Sequence, residues 1–200
     1  MYNMDKVFEE VLGSKSRIAL LRRLYQDSSP KSGRELARQI GCSHTHAINN
    51  LRSLEDLGII VRRRVGPANT YTFNDKSYVV RNVLTPLFEA EDNYLREVAS
   101  RFSDGLGDNL VRIILFGSVA KGTSNPRSDM DLAIVVRDKC DIDRIELEAA
   151  GIAADVMVEF GRPVDALVFR EKDFKSRIQE GKGMWSDIKG EGIDLLEKTA

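Results

Sequence analysis

The chain has 200 residues, 42% hydrophobic and 30% charged, with a formal net charge of −1, enough for one ordinary domain or two small ones. Asp5, Glu9 and Glu10 stand where a secretory leader needs an apolar core, no apolar run approaches the roughly 20 residues of a membrane span, and Cys42 and Cys140 belong to no C-x-x-C pair. These features argue against export, membrane association, a disulfide framework and a zinc site, and the expectation is a cytoplasmic protein.

Charge divides the chain. Residues 1–75 carry 12 Lys and Arg against 8 Asp and Glu, net +4, whereas residues 76–200 carry 18 against 23, net −5. A basic front and an acidic back predict two domains with different partners. From Ser14, the residues Ile18, Leu20, Leu21 and Leu24 recur at helical spacing up to the Asp27–Pro30 breaker. Ser32 and Glu35, three apart, form a capping box for a second helix reaching about Ile40. After the Gly41-Cys42-Ser43 turn, Ser43 caps a third helix through Ala47, Ile48, Leu51, Leu54 and Leu57, which Gly58 ends. Residues 59–65 and Thr70–Phe73 then read as two strands around Gly66-Pro67-Ala68-Asn69.

Over residues 14–74 this order resembles a winged helix-turn-helix domain of small prokaryotic transcription regulators. The resemblance implies DNA binding. Ser43, His44, Thr45, His46, Asn49, Asn50 and Arg52 would present the exposed face of the recognition helix. Arg62, Arg63, Arg64 and Asn69 would lie on or beside the wing, near phosphates. The alternative is a protein-interaction module whose arginines form a solvated face. His44 and His46 cannot easily share a cation, because helical neighbours two apart point in nearly opposite directions.

A connecting helix is expected from Ser77 to about Phe102, with Val79, Val80, Val83, Leu84, Leu87, Phe88, Tyr94, Leu95 and Val98 on its apolar stripe and a kink or break at Pro86. That stripe suits a homodimer or docking on the second domain.

Residues 111–116 form an apolar run of strand length, followed by Gly117-Ser118. Gly117 permits a turn and a close ligand approach, and Ser118 opens a short helix whose N–H groups suit phosphate oxygens. Asp129 and Asp131 then begin a second strand. Side chains alternate across a strand, so both aspartates share one face while Met130, Leu132 and Ile134 share the other. Such close carboxylates repel unless a cation lies between them, and Mg²⁺ is normally held by one or two carboxylates with phosphates and water. Asp165, near the start of the Pro163–Phe169 run, is the expected third carboxylate, and burying it without a cation or donor would be costly. Asp141 and Asp143 open a helix reaching about Phe160, where acids favour the helix dipole.

Phe116-Gly117-Ser118, ten residues, then Asp129-Met130-Asp131-Leu132 resembles the signature of the DNA polymerase β-like nucleotidyltransferase superfamily, in particular its minimal prokaryotic members. Ala120-Lys121-Gly122, Ser128 and the Trp185–Ile193 segment fit as well, and coverage is about residues 105–197. The resemblance implies transfer of a nucleoside monophosphate, often AMP, from a triphosphate to an acceptor hydroxyl. Gly117 and Ser118 would hold the triphosphate, with Lys121 and Arg127 as further phosphate contacts. Asp129 and Asp131 would bind a pair of Mg²⁺ ions, which Asp165 would join while taking the acceptor's proton. With no further domain after the core, the acceptor is expected on a macromolecule. The alternatives are a regulator that senses nucleotide without turnover and an interaction scaffold.

The sequence therefore predicts an α+β protein: a winged helix-turn-helix over residues 1–75, a connecting helix over 76–104, and a mixed-sheet nucleotidyltransferase fold over 105–200.

Overall fold

The computed structural model describes residues 4–125 and 128–197. The α+β class expected from the sequence is observed. The chain forms two compact units, Met1–Asp92 and Asn93–Ala200.

The first unit runs α1 (Met4–Leu12), α2 (Lys15–Gln26), β1 (Lys31–Ser32), α3 (Gly33–Gln39), α4 (His44–Asp56), β2 (Ile60–Val65) and β3 (Ala68–Phe73). The three short strands form one antiparallel sheet in the order β1-β3-β2. This is the element order of a winged helix-turn-helix, with α4 as the second helix of the pair and β2–β3 as the wing. The predicted caps are in place. Ser14, Ser32 and Ser43 accept hydrogen bonds from the backbone N–H groups of Arg17, Glu35 and His46. Gly58, at φ +69°, ends α4, and the N–H of Ile59 reaches back 2.9 Å to the carbonyl of Leu54. Both flanking side chains are buried, which completes a Schellman stop. The wing is tighter than the sequence suggested. Val65 pairs with Ala68, so only Gly66 and Pro67 form the turn, with Gly66 at φ +59°.

Two elements of this unit were not anticipated, nor was helix α8 (Glu171–Glu180) of the second. Helix α1 packs Val7 and Val11 into the core beside Leu20, Leu21, Leu24, Leu51 and Leu54. Strand β1 is two residues long, too short for any periodic signal, and exists because Lys31 and Ser32 pair with Tyr71 and Thr70.

At Pro86 the helix is neither broken nor divided. Residues Val80–Leu84 widen into a π-turn that continues into α5 (Thr85–Leu106), and the N–H of Thr85 bonds the carbonyl of Val80 five residues back. Proline lacks its own N–H and crowds the carbonyl four positions before it, so a wider turn absorbs the misfit while the helix continues.

The second unit adds β4 (Leu110–Phe116), α6 (Gly117–Ala120), β5 (Met130–Val136), α7 (Ile142–Phe160), β6 (Val164–Arg170), α8 (Glu171–Glu180), α9 (Met184–Glu191) and β7 (Ile193–Asp194). The sheet order is β6-β5-β4-β7, with β5 and β6 parallel and the other pairs antiparallel. Helix α7 supplies the crossover that a parallel pair needs. Asp141 caps it by accepting from the N–H of Arg144, and Asp143 lies in the first turn, where acids were expected from the sequence to favour the helix dipole. Central strand β5 is apolar on both faces, as a doubly covered strand must be. Met130, Leu132, Ile134 and Val136 bury with Ile145, Ala149, Ala153 and Val156 of α7. Ala133 and Val135 bury on the opposite face with Phe174, Trp185 and Ile188.

In the first unit, buried Lys31 donates to Asp27 and to the Ser29 hydroxyl. That bond, with a backbone N–H from Ser29, lowers the Asp27 pKa from 3.8 to about 2. A depressed carboxyl contributes stability above its unfolded value and loses it as the pH falls through its folded value. Asp27→Asn therefore lowers Tm at neutral pH, and its difference from wild type shrinks between pH 3.8 and about 2 in thermal melts across that range.

Candidate functional site

Strand register assembles the acidic site. Asp131 lies opposite Phe116, the last residue of β4, and in parallel register with Asp165 on β6. Residues in register on neighbouring strands share a face. Asp131 alternates with Met130 and Leu132, which bury under α7, so it shares the face of Ala133 and Val135. Asp165 belongs to that face by the same parity, because Leu167 and Phe169 pack there. Asp129, two residues before Asp131, leads into the strand at the same end.

Gly117 completes the corner. At φ +71° it turns the chain sharply out of β4, and a Cβ built on it would stand 2.1 Å from Oδ2 of Asp131. The carboxylate therefore rests against bare backbone, and glycine alone satisfies both the dihedral angle and the space. Ser118 is half-buried in the following turn, where its carbonyl accepts from the N–H of Thr123 at 3.0 Å. Lys121 places its ammonium 3.2 Å from Asp187 and 3.3 Å from Glu191, which ties this corner to α9. Arg127 lies outside the described residues.

Partial burial, then the charges of Asp165 and Asp129, raise the pKa of Asp131. Both neighbours therefore act on it electrostatically. Asp129 and Asp165 are nonetheless exposed, and among the described residues no three acidic, histidine or cysteine side chains are gathered closely enough to hold a metal ion between them. This corrects the expectation that Asp165 is buried. Strand β6 is the edge of its sheet, and its first residues meet solvent.

In the first unit, Ser43, His44, Thr45, His46, Asn49 and Arg52 are exposed on α4, and Arg62, Arg63 and Arg64 are exposed on β2. Asn50 is the exception, at 8% exposure. It shares the core-facing side of α4 with Ala47, Leu51 and Leu54, accepts from Nε of Arg17 at 3.2 Å, and donates to the carbonyl of His46 at 2.9 Å. A buried amide with its polar atoms satisfied positions the helix and is not available to an outside ligand. Arg62 pairs with Glu55 of α4 at 3.1 Å, bracing the wing. Between α4 and the wing lies a cleft of about 520 Å³ lined by Arg34, His44, Arg52, Arg62, Asn69 and Tyr71, among others. Arg34 was not singled out from the sequence. Its position two residues after the Ser32 cap, on an exposed first turn, was the available signal.

Residues 92–187 match the family described as nucleotidyltransferase domain. A candidate protein adenylyltransferase of Methanocaldococcus jannaschii is 32% identical over 69 residues, which is 34% of this chain and 45% of that relative. The chain thus spans less than half the length of the curated relative it matches. Both matches support nucleotidyltransferase activity. Among solved structures, a toxin-antitoxin complex with AMP-PNP aligns at TM-score 0.38 and 20% identity over 50% of this chain and 71% of that one. Diamide-treated YodB from B. subtilis aligns at TM-score 0.36 and 21% identity over 47% of this chain and 94% of that one. Both structural likenesses are too slight to assign a role.

Two substitutions probe the corner. Gly117→Ala costs about 1–2 kcal/mol from its left-handed backbone alone and displaces the Asp131 carboxylate, so denaturant melts show lower stability. Asp131 holds its proton more tightly folded than unfolded, so the native state is penalised as the pH rises through the carboxylate range. Asp131→Asn removes that penalty: in EDTA its Tm exceeds wild type at pH 7, and the gain disappears below pH 3.8.

Proposed function

We propose that the second unit transfers a nucleoside monophosphate, AMP from ATP, to a hydroxyl on a macromolecular acceptor, and that the first unit binds DNA. The observation that carries the enzymatic reading is the corner itself, where Asp131 is seated on Cβ-less Gly117 and repelled by both Asp165 and Asp129. A native state keeps like charges together at a cost, and such clusters concentrate at functional sites. The name of the M. jannaschii relative supports AMP and a protein acceptor.

The donor set fits divalent magnesium. All three side chains offer hard carboxylate oxygens, two of them from the solvent-facing end of the sheet, and no soft ligand is near in sequence. When bound, Mg²⁺ would offset the carboxylate and phosphate charges and polarise the entering and leaving oxygens. Magnesium needs only one or two carboxylates beside phosphates and water, so Asp129 and Asp131 are the residues that would hold it, and a second ion would bring in Asp165 together with the substrate. Gly117 would let the triphosphate approach the backbone, and the Ser118 hydroxyl would donate to it. The acceptor hydroxyl attacks the α-phosphorus, forming a new P–O bond. The bond to the bridging oxygen of the β-phosphate breaks, pyrophosphate leaves with the electron pair, and the hydroxyl proton passes to the Asp165 carboxylate.

For the first unit, the exposed polar face of α4, the arginines of the wing and the cleft between them suit a duplex, with base edges read by His44, Thr45, His46, Asn49 and Arg52 and phosphates met by Arg62, Arg63 and Arg64. The exposure of Asp129 and Asp165 favours a second reading, in which the unit binds nucleotide without turnover and biases DNA binding.

Incubation with labelled ATP, Mg²⁺ and cell extract separates the two. Label moves to a macromolecule, the transfer stops with EDTA, and it stops in Asp129→Asn and in Asp131→Asn. Nucleotide binding with no transfer would establish the sensor. Replacing Arg62, Arg63 and Arg64 together by Ala weakens duplex binding and flattens its salt dependence, by about 0.9 in log–log slope for each phosphate no longer neutralised, measured by fluorescence anisotropy. An unchanged slope would remove DNA from the proposal.

A further inference from the structure

Helix α7 is apolar on two opposite sides. One stripe, Ile145, Ala149, Ala153 and Val156, is buried against the sheet. The other, Leu147, Gly151, Ala154 and Val158, recurs at the same three- and four-residue spacing on the solvent side. Leu147 is 76% exposed and Val158 87%, and Met157 beside them is 52% exposed. A helix apolar on both sides is expected between two bodies, and the second stripe forms one continuous face.

Three further observations specify what covers it. The stripe has large residues at its ends and a notch at its centre, where Ala150, Gly151 and Ala154 leave the backbone open. Apart from the helix's own backbone, no atom of the described residues lies within 4 Å of where a Gly151 Cβ would be, so none of them needs that glycine. A glycine within a helix costs about 1 kcal/mol relative to alanine, and close approach by another backbone would account for it. Next, α7 carries Asp143, Glu146, Glu148, Asp155 and Glu159 against Arg144; Arg144 pairs with Glu148 and Arg101 of α5 with Glu159, so Asp143, Glu146 and Asp155 leave the stripe flanked by net negative charge. A second copy would set acid against acid, whereas a basic partner is attracted. Last, a groove of about 280 Å³ runs from Ala150, Ala154 and Met157 to Pro163, Val164 and Asp165. The apolar face therefore extends to the first residues of edge strand β6.

We propose that the outer face of α7 docks a basic-flanked amphipathic helix of the acceptor protein, seated in the Ala150-Gly151-Ala154 notch and leading along the groove to the start of β6. The acceptor role rests on the nucleotidyltransfer reading; the docking itself does not. Affinity comes from the apolar face, and partner choice from the acidic flanks.

The test uses the full chain and two helical peptides of about 18 residues, five turns, with the same Leu/Ala face and one tyrosine. One peptide has lysine flanks and the other glutamate flanks. The lysine peptide binds by calorimetry with salt-dependent affinity and the glutamate peptide does not. Gly151→Leu makes the face more apolar but fills the notch, and it weakens the lysine peptide at least about tenfold, the loss of one hot spot, while Tm does not fall. Val158→Glu gives the same loss of affinity. Equal binding of both peptides, failure of the lysine peptide to bind, or unchanged or stronger binding to Gly151→Leu would overturn the docking. So would a dimer of the free protein in sedimentation that Val158→Glu dissociates, which would give the face to a second copy. Asp131→Asn retains peptide binding while losing transfer of label to the tyrosine. Binding without transfer in the wild type would sink the enzymatic reading and leave the docking surface standing.

Discussion

The second unit is organised by the contact between the Asp131 carboxylate and the bare α-carbon of Gly117. It requires β4 to end where β5 begins, with Phe116 opposite Asp131, and it requires the chain to leave β4 at positive φ. The parallel pairing of β5 with β6 then brings Asp165 level with Asp131. A slip of one residue in either pairing would turn Asp131 towards the apolar layer under α7. Five consecutive buried residues, Leu132–Val136, hold the register by engaging both covering layers, and that apolar grip offsets the repulsion built into the site.

Much of this geometry was legible because it depends on local chemistry. The Ser32 and Ser43 caps, the stop at Gly58 and the strand parity that segregates Asp129 and Asp131 from Met130 and Leu132 follow from side-chain period and backbone allowance. What escaped the sequence depends on residues far away along the chain. Asn50 looked like a groove-facing amide, but its partner is Arg17, 33 positions earlier. Alternation gave Asp165 its face but not its exposure, because exposure follows from β6 lying at the sheet edge. Pro86 was expected to interrupt a helix, and a π-turn instead passed the misfit into backbone spacing. Strand β1 has no signal of its own; its two residues are a strand only because β3 is beside them.

The charge division then acquires a physical meaning within each unit. In the first, basic side chains are concentrated on the wing and around one cleft, where a polyanion gains from several contacts at once. In the second, residues 93–200 carry 16 Lys and Arg against 20 Asp and Glu, net −4, which includes the site carboxylates and the flanks of α7. On the proposed function, a triphosphate would approach such a surface more favourably with its own cations.

The same field bears on the acceptor. A nucleic acid brought to the acidic corner would meet like charge at every phosphate. At physiological ionic strength that repulsion persists within about 8 Å, the range over which an acceptor hydroxyl would settle beside Asp165 on the proposed function. A protein with lysine or arginine beside an apolar helix gains from both features of α7, burying Leu147 and Val158 while its cations face Asp155 and Glu146. Nucleic acid thus suits the first unit and a basic protein the second. The division follows from charge sign alone, before any contact is specified, and it makes the protein acceptor the economical reading of an acidic catalytic unit in the same chain as a basic one.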